Sequence, residues 1–180
     1  MSEIHIPENA GEYAEGLKKI LRRFGEEWPA YIACGPGWYP ILVDLDQKLN
    51  EVAPHYELAQ VKEKYGGLRF YVELPEERGA LGIWEARNPM PLGTDNPEAE
   101  DWWRRLDEWE ASPEGKEALK EAKRTLERVR ELVDAAEYLS TQTCETCGQP
   151  GTIETHNGWV STRCPEHQRS KADLRHPSSS

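Results

Sequence analysis

The sequence predicts an α+β fold: a short antiparallel sheet packed by helices, with a long helix in the C-terminal half that leads into a small zinc-bound β-hairpin. Three observations carry this. The first 24 residues hold an amphipathic helical stripe, residues 57–74 alternate in polarity around Gly66-Gly67, and a long capped helical run precedes a C-x-x-C and C-x-x-H pair. The expected organisation is an α+β domain over 1–139, in which 75–111 form an insertion carrying a Trp-rich helix. A zinc-binding hairpin over 140–168 and a disordered tail over 169–180 follow.

From Glu8 to Phe24, Tyr13, Leu17, Ile20, Leu21 and Phe24 fall at helical steps, with Lys18, Lys19, Arg22 and Arg23 facing mostly outward. Trp28-Pro29 closes that region, and Cys34-Gly-Pro-Gly37 is a turn before a second helix over about Pro40 to Val52. Pro40 suits the first helical turn, where its missing amide hydrogen would have no partner. Glu57 to Leu74 reads as a hairpin turning at Gly66-Gly67, since glycine takes positive φ without steric cost. In that register Tyr65 faces Leu68, Glu63 faces Phe70, Val61 faces Val72 and Ala59 faces Leu74 on an apolar face. The other face sets Lys64 beside Arg69, Lys62 beside Tyr71 and Gln60 beside Glu73. A third strand is expected over Ala80 to Arg87, then a Pro- and Gly-containing loop over Asn88 to Asn96.

Pro97 to Glu110 places Trp102, Trp103, Leu106 and Trp109 on one helical side. Ser112-Pro113-Glu114 is an N-cap followed by proline at the first helical position, so a helix should run to about Leu139. Its seam, Leu119, Ala122, Leu126, Val129, Val133 and Ala136, is expected to be covered by the Trp-rich helix in an intramolecular hairpin, rather than by a second chain in a coiled coil.

Cys144, Cys147, Cys164 and His167 are the one constellation whose spacing dictates its chemistry. Each pair spans the bite of one tetrahedral ion, and the intervening Asn157-Gly158 favours the tight turn that doubles the chain back. Three thiolates and one imidazole fill zinc's coordination, so no position is left for an activated water and the metal is expected to be structural. The start of the chain lacks the basic and apolar segments of a secretory signal, which points to the cytoplasm and favours metal over disulfide. His156, beside the turn, is expected to lie away from the ion.

Charge and hydropathy narrow the function. A net charge of -11 disfavours general attraction to nucleic acid, and no apolar run approaches the ~20 residues needed to cross a bilayer. Residues 56–74 are locally balanced, with three acidic and three basic side chains. There Lys62, Lys64, Arg69 and Tyr71 form a candidate site for a nucleotide-like anion, because Arg forks onto phosphate and Tyr stacks on a base. The competing reading is a solvated or covered strand face. Trp102, Trp103 and Trp109 are a candidate partner surface, against the alternative that they pack on the long helix. Asp44 and Asp46 diverge on their helix, with Asp44 placed to pair with Lys48. Cys34 has no neighbouring base and reads as a buried structural thiol. No Walker loop, H-E-x-x-H or G-x-S-x-G motif is present.

Trp38-Tyr-Pro-Ile-Leu, Val61-Lys-Glu-Lys-Tyr-Gly-Gly-Leu-Arg-Phe-Tyr71, the long helix, and C-E-T-C-G with G-W-V-S-T-R-C resemble a group of small uncharacterised proteins of phages, prophages and bacteria. The likeness covers about 30–74 and 113–168, and leaves 75–111 as an insertion. It implies a phage-linked accessory role and supplies no catalytic residues; the host cytoplasm would then be the site of action. The expected function is therefore non-catalytic: a zinc-stabilised monomer or small homo-oligomer that sequesters a host protein or a small anionic signal. A nucleic-acid-associated zinc protein, using Arg163 with Arg169, Lys171 and Arg175, and a small enzyme on phosphorylated substrates are the alternatives.

Overall fold

The computed structural model describes residues 4–74, 88 and 97–168. The expected strand over 80–87, most of the loop before residue 97 and the tail from 169 lie outside the described residues. Helices α1 (Ala14–Leu21) and α2 (Tyr39–Val52) pack on one face of a three-stranded sheet, and the long helix α4 (Pro113–Ser140) lies against α2 and the sheet edge. Helix α3 (Pro97–Ala111) packs on α4. A separate two-stranded hairpin, β4 (Thr152–His156) and β5 (Trp159–Arg163), follows α4. The class is α+β, as the patterning predicts.

The sheet runs β1-β2-β3, with β1 (Ile32–Ala33) parallel to β2 (Glu57–Lys64) and β3 (Gly67–Glu73) antiparallel to it. The sheet is therefore mixed. A two-residue strand is too short for polarity alternation to reveal it. The hairpin turn is Tyr65-Gly66, with φ of 54° and 76°, rather than Gly66-Gly67. Both central residues lie in the left-handed region, as a type I′ turn requires. Glu63 Oε1 accepts from the Gly66 amide at 2.7 Å and holds this turn. The pairs are Lys64↔Gly67, Glu63↔Leu68, Lys62↔Arg69, Val61↔Phe70 and Gln60↔Tyr71, with an irregularity between Leu58 and Gln60. Relative to the predicted register, the pairing has slid by two residues, which keeps Gln60, Lys62, Lys64, Arg69 and Tyr71 on their expected face. Tyr65, expected opposite Leu68 on the apolar face, is instead an exposed turn residue, and the irregularity after Leu58 turns that side chain into the core.

The core forms as the helical stripes require. Leu17 and Ile20 of α1, Leu42, Leu45 and Leu49 of α2, Leu58 and Val61 of β2, Leu68 and Phe70 of β3, and Val129 and Ala136 of α4 make one cluster around Trp38. Each fully buried Leu or Ile stabilises by about 1.5–3 kcal/mol relative to exposure. Ser112 caps α4, its Oγ accepting from the Gly115 amide at 3.0 Å. The C-terminal half of the α4 seam, however, is covered by α2 and β3 rather than by α3. Leu126, Leu132 and Val133 reach the main core there, so α3 is left with the N-terminal part.

Arg23 does not face outward. Its guanidinium lies 4.5 Å over the Tyr56 ring, donates to Asn50 Oδ1 at 2.6 Å and to the Pro54 carbonyl, and stands 3.7 Å from Asp46. The Tyr56 hydroxyl donates to buried Asp46 at 2.6 Å. Burial, then the bond to Asp46, pushes the Tyr56 phenol well above its ordinary range. Asp44 instead pairs with Lys48 at 2.6 Å on the surface. Tyr56→Phe strips Asp46 of its closest partner, and is expected to cost about 1–3 kcal/mol in urea unfolding.

Candidate metal centre and sheet face

Cys144 follows α4 by four residues, and the Cys147 turn closes through the Gly148 amide donating to the Cys144 carbonyl at 2.9 Å. Gly148 has φ of 76°, a conformation that glycine adopts freely. Strands β4 and β5 pair from Thr152↔Arg163 to His156↔Trp159 across Asn157-Gly158, both at positive φ. This returns Cys164 to the first pair. The ligand atoms of Cys144, Cys147, Cys164 and His167 all lie within 4.8 Å of one another. His156, paired with Trp159 beside the turn, is not one of this cluster.

The separations suit one four-coordinate ion. Two thiolates at ~2.3 Å from a tetrahedral centre stand about 3.8 Å apart, and Cys147 Sγ and Cys164 Sγ are 3.7 Å apart. Cys164 Sγ and His167 Nδ1, at 3.1 Å, would open by roughly half an ångström to admit the ion. At Cys144 burial disfavours the thiolate, yet the backbone amides of Cys164, Cys147 and Thr146 outweigh it and pull the thiol down to about 6. That sulfur is prepared for a cation.

The metal module is fastened to the main body. Glu145 accepts from the Gly35 amide through Oε1 at 2.9 Å and from the Gly37 amide through its carbonyl at 2.8 Å. The Trp38 indole N–H donates to the Thr143 carbonyl at 2.8 Å, and Thr162 Oγ1 donates to the Gly66 carbonyl at 2.5 Å. A Cβ on Gly37 would overlap the Cys144 carbonyl and stand 2.5 Å from the Gly148 nitrogen, so only glycine fits. Neither Glu145 nor Gly37 stood out in the sequence, because their roles depend on a contact across more than 100 residues.

On the outer face of the sheet, cross-strand pairing stacks the side chains in rows. Lys64 is nearest the turn. Lys62 and Arg69 come next, with Ala33 beyond Lys62. Gln60 and Tyr71 follow, and Glu57 opposite Glu73 ends the face. Ile32 packs into the core and Tyr31, just before β1, is 47% exposed; continuing the parallel register Ile32↔Val61 one residue back puts Tyr31 level with Gln60 on the outer side. Tyr71 is 42% exposed, with Lys62 Nζ 5.5 Å over its ring. Arg69 is partly engaged: Nη1 donates to the Leu68 carbonyl at 2.7 Å and lies 3.3 Å from Glu137. The predicted cluster of Lys62, Lys64, Arg69 and Tyr71 thus shares one face, with Arg69 rather than Tyr71 opposite Lys62. Tyr31 is the member that sequence reasoning missed.

The three tryptophans do not share a surface. Trp102 is buried with Leu106 and packed by Trp109, its indole donating to the Asn88 carbonyl at 2.5 Å. Trp103 meets Trp102 edge-on at 4.9 Å and is 51% exposed. Another exposed indole, Trp159 at 75%, sits at the tip of the metal hairpin.

Comparison with family models, with curated proteins and with solved structures finds no match to this chain. Among the described residues no helix is long and apolar enough to cross a membrane.

Burial first, then Glu145 and Glu63, pushes the Cys34 thiol up to about 12. Three units above the ordinary value cuts its thiolate at about pH 8 by roughly a thousandfold. Iodoacetamide at that pH is therefore expected to spare Cys34 in the folded protein and modify it in urea, as read by peptide mass; rapid native labelling would contradict this.

Proposed function

We propose that this chain is a zinc-stabilised binding protein without chemistry of its own, which captures a small anionic ligand on the basic outer face of its sheet. The observation that carries the reading is the division of labour between two places. The Cys144, Cys147, Cys164 and His167 set supplies four donors and fills a tetrahedral ion, while Lys62 and Lys64 stand on an open face beside Tyr71. Zinc is the ion that best suits a three-sulfur, one-nitrogen set. Its work is to hold the C-terminal hairpin against Gly37 and Gly66, not to activate water.

The likeness of residues 30–74 and 113–168 to phage and prophage proteins supports an accessory or counter-defence role, in which a host signal is sequestered in the host cytoplasm. Arg69 is less free than Lys62 and Lys64 because Glu137 holds it. Both Glu137 oxygens are engaged, by Arg69 and by the Phe70 amide at 3.0 Å, which argues against that carboxylate as a general base. Capture of a host protein is the second reading, favoured by the exposed Trp103.

Cys147→Ser is expected to lose the ion in native mass spectrometry and to lower the melting temperature by more than about 10 °C, since structural zinc supplies folding free energy directly. Retention of both would refute the metal assignment. Lys62→Ala with Lys64→Ala is expected to abolish the anionic adduct that the zinc-loaded protein retains from a bacterial small-molecule extract. Its melting temperature should stay within about 2 °C of the parent, since Lys64 is exposed and Lys62, half-buried, makes only surface contacts with Gln60 and Tyr71. An adduct that survives the double change would locate capture elsewhere.

A further inference from the structure

We propose that the outer sheet face binds a nucleoside monophosphate, with its base on the Tyr31–Gln60–Tyr71 row and its phosphate on Lys62 and Arg69. This rests on the reading that the face captures a small anion, and it names what the anion carries. With the β1–β2 register continued one residue back to Tyr31, and neighbouring strands about 4.8 Å apart, Tyr31 and Tyr71 come roughly 10 Å apart across the sheet with Gln60 between them. Two exposed rings flanking an amide offer stacking surface and a polar contact at the same level. Gln60 Oε1 already accepts from Lys62 Nζ at 2.5 Å, which leaves the amide NH2 to donate to an acceptor on the base edge.

The row toward the turn follows one residue pair along, about 6.7 Å away, a distance that the ribose bridges. Lys62 and Arg69 face each other there. Ala33, exposed beyond Lys62, leaves the sheet surface low enough for a phosphate to approach. Arg69 gives Nη1 to Glu137 and Leu68, and a guanidinium has further donors whose fork geometry matches phosphate. Lys62, lying over the Tyr71 ring, links the two rows.

The opposite end bars the reverse orientation. Glu57 and Glu73 are direct cross-strand partners, a like-charge pair that a base amino group would relieve and a phosphate would aggravate. Glu26 and Glu27 line the same end. The face is therefore polar along the strands: cations near the turn, rings in the middle, acids beyond. A single nucleotide satisfies that order over three rows, whereas an extended strand of nucleic acid would carry its next phosphate onto the acids.

The test is calorimetric titration of the full-length, zinc-loaded protein with adenosine monophosphate, ribose 5-phosphate and a single-stranded oligonucleotide. The monophosphate is expected to bind at least about tenfold more tightly than ribose 5-phosphate. Tyr71→Leu and Tyr31→Leu should each weaken it by roughly five- to tenfold, with ribose 5-phosphate affinity unchanged. Equal binding of both probes, indifferent to the tyrosines, would overturn the base site and preserve anion capture. Binding of neither would overturn both. Preference for the oligonucleotide would overturn the single-nucleotide assignment.

Discussion

Everything C-terminal to α4 depends on one close backbone contact, the seating of the Cys144–Gly148 turn on Gly35–Gly37. The turn presents its carbonyl and amides to a stretch of chain that has no side chain to interpose at Gly37. Glu145 bonds that stretch twice. Trp38, next in sequence, places its ring at the centre of the hydrophobic cluster and gives its N–H back to Thr143. The Trp38 indole thus adds a link between the hydrophobic core and the residue before Cys144 to the bonds made by Glu145 and Thr162. A metal that closes the Cys144–His167 loop reduces the freedom of the unfolded chain and fixes the shape that Gly37 must meet. Loss of an ion held by this cluster would be felt at Trp38 as well as at the hairpin.

What could be read in advance follows from the range of the interaction. The α4 cap at Ser112, the Asn157-Gly158 turn and the spacing of the four ligands are each decided within a few residues, and each stands where expected. The hairpin kept its outer-face cluster but slid its pairing and moved Tyr65 into the turn, because two glycines in succession permit two turns. The choice falls to Glu63, whose carboxylate reaches the Gly66 amide, and to the fit of Gly67 beside Thr141 and Ser140. Arg23 was placed outward by helical periodicity. The pattern does not know that Asn50, Asp46 and Tyr56 wait at the end of α1. The α4 seam has the same lesson: a heptad shows that a stripe is covered without showing by what.

The edge of β3 explains why Arg69 sits where it does. An unpaired edge exposes amides that invite another strand. Ser140 Oγ accepts from the Leu68 amide at 2.8 Å, and Glu137 accepts from the Phe70 amide, so two alternate edge donors are satisfied by one turn of α4. Glu137 does this with a half-buried carboxylate, and such a group needs a cation. Arg69 provides it. The guanidinium is therefore both a structural counter-ion and a member of the outer face, and its position is set by edge protection, independently of any ligand.

That dual role bears on how a chain of net charge -11 could present the proposed anion site. At physiological ionic strength charges are screened beyond about 8 Å, so a ligand on the sheet feels the rows within reach and little of the acidic helices. Lys62, Lys64 and Arg69 dominate near the turn, and Glu137 lowers their sum without cancelling it. A long polyanion extends past that radius, toward Glu57 and Glu73 along the strands. A ligand no larger than two or three rows keeps the local attraction and avoids the global repulsion. Size selection of this kind needs no wall or pocket, only a short basic patch bounded by acids at the scale of the screening length.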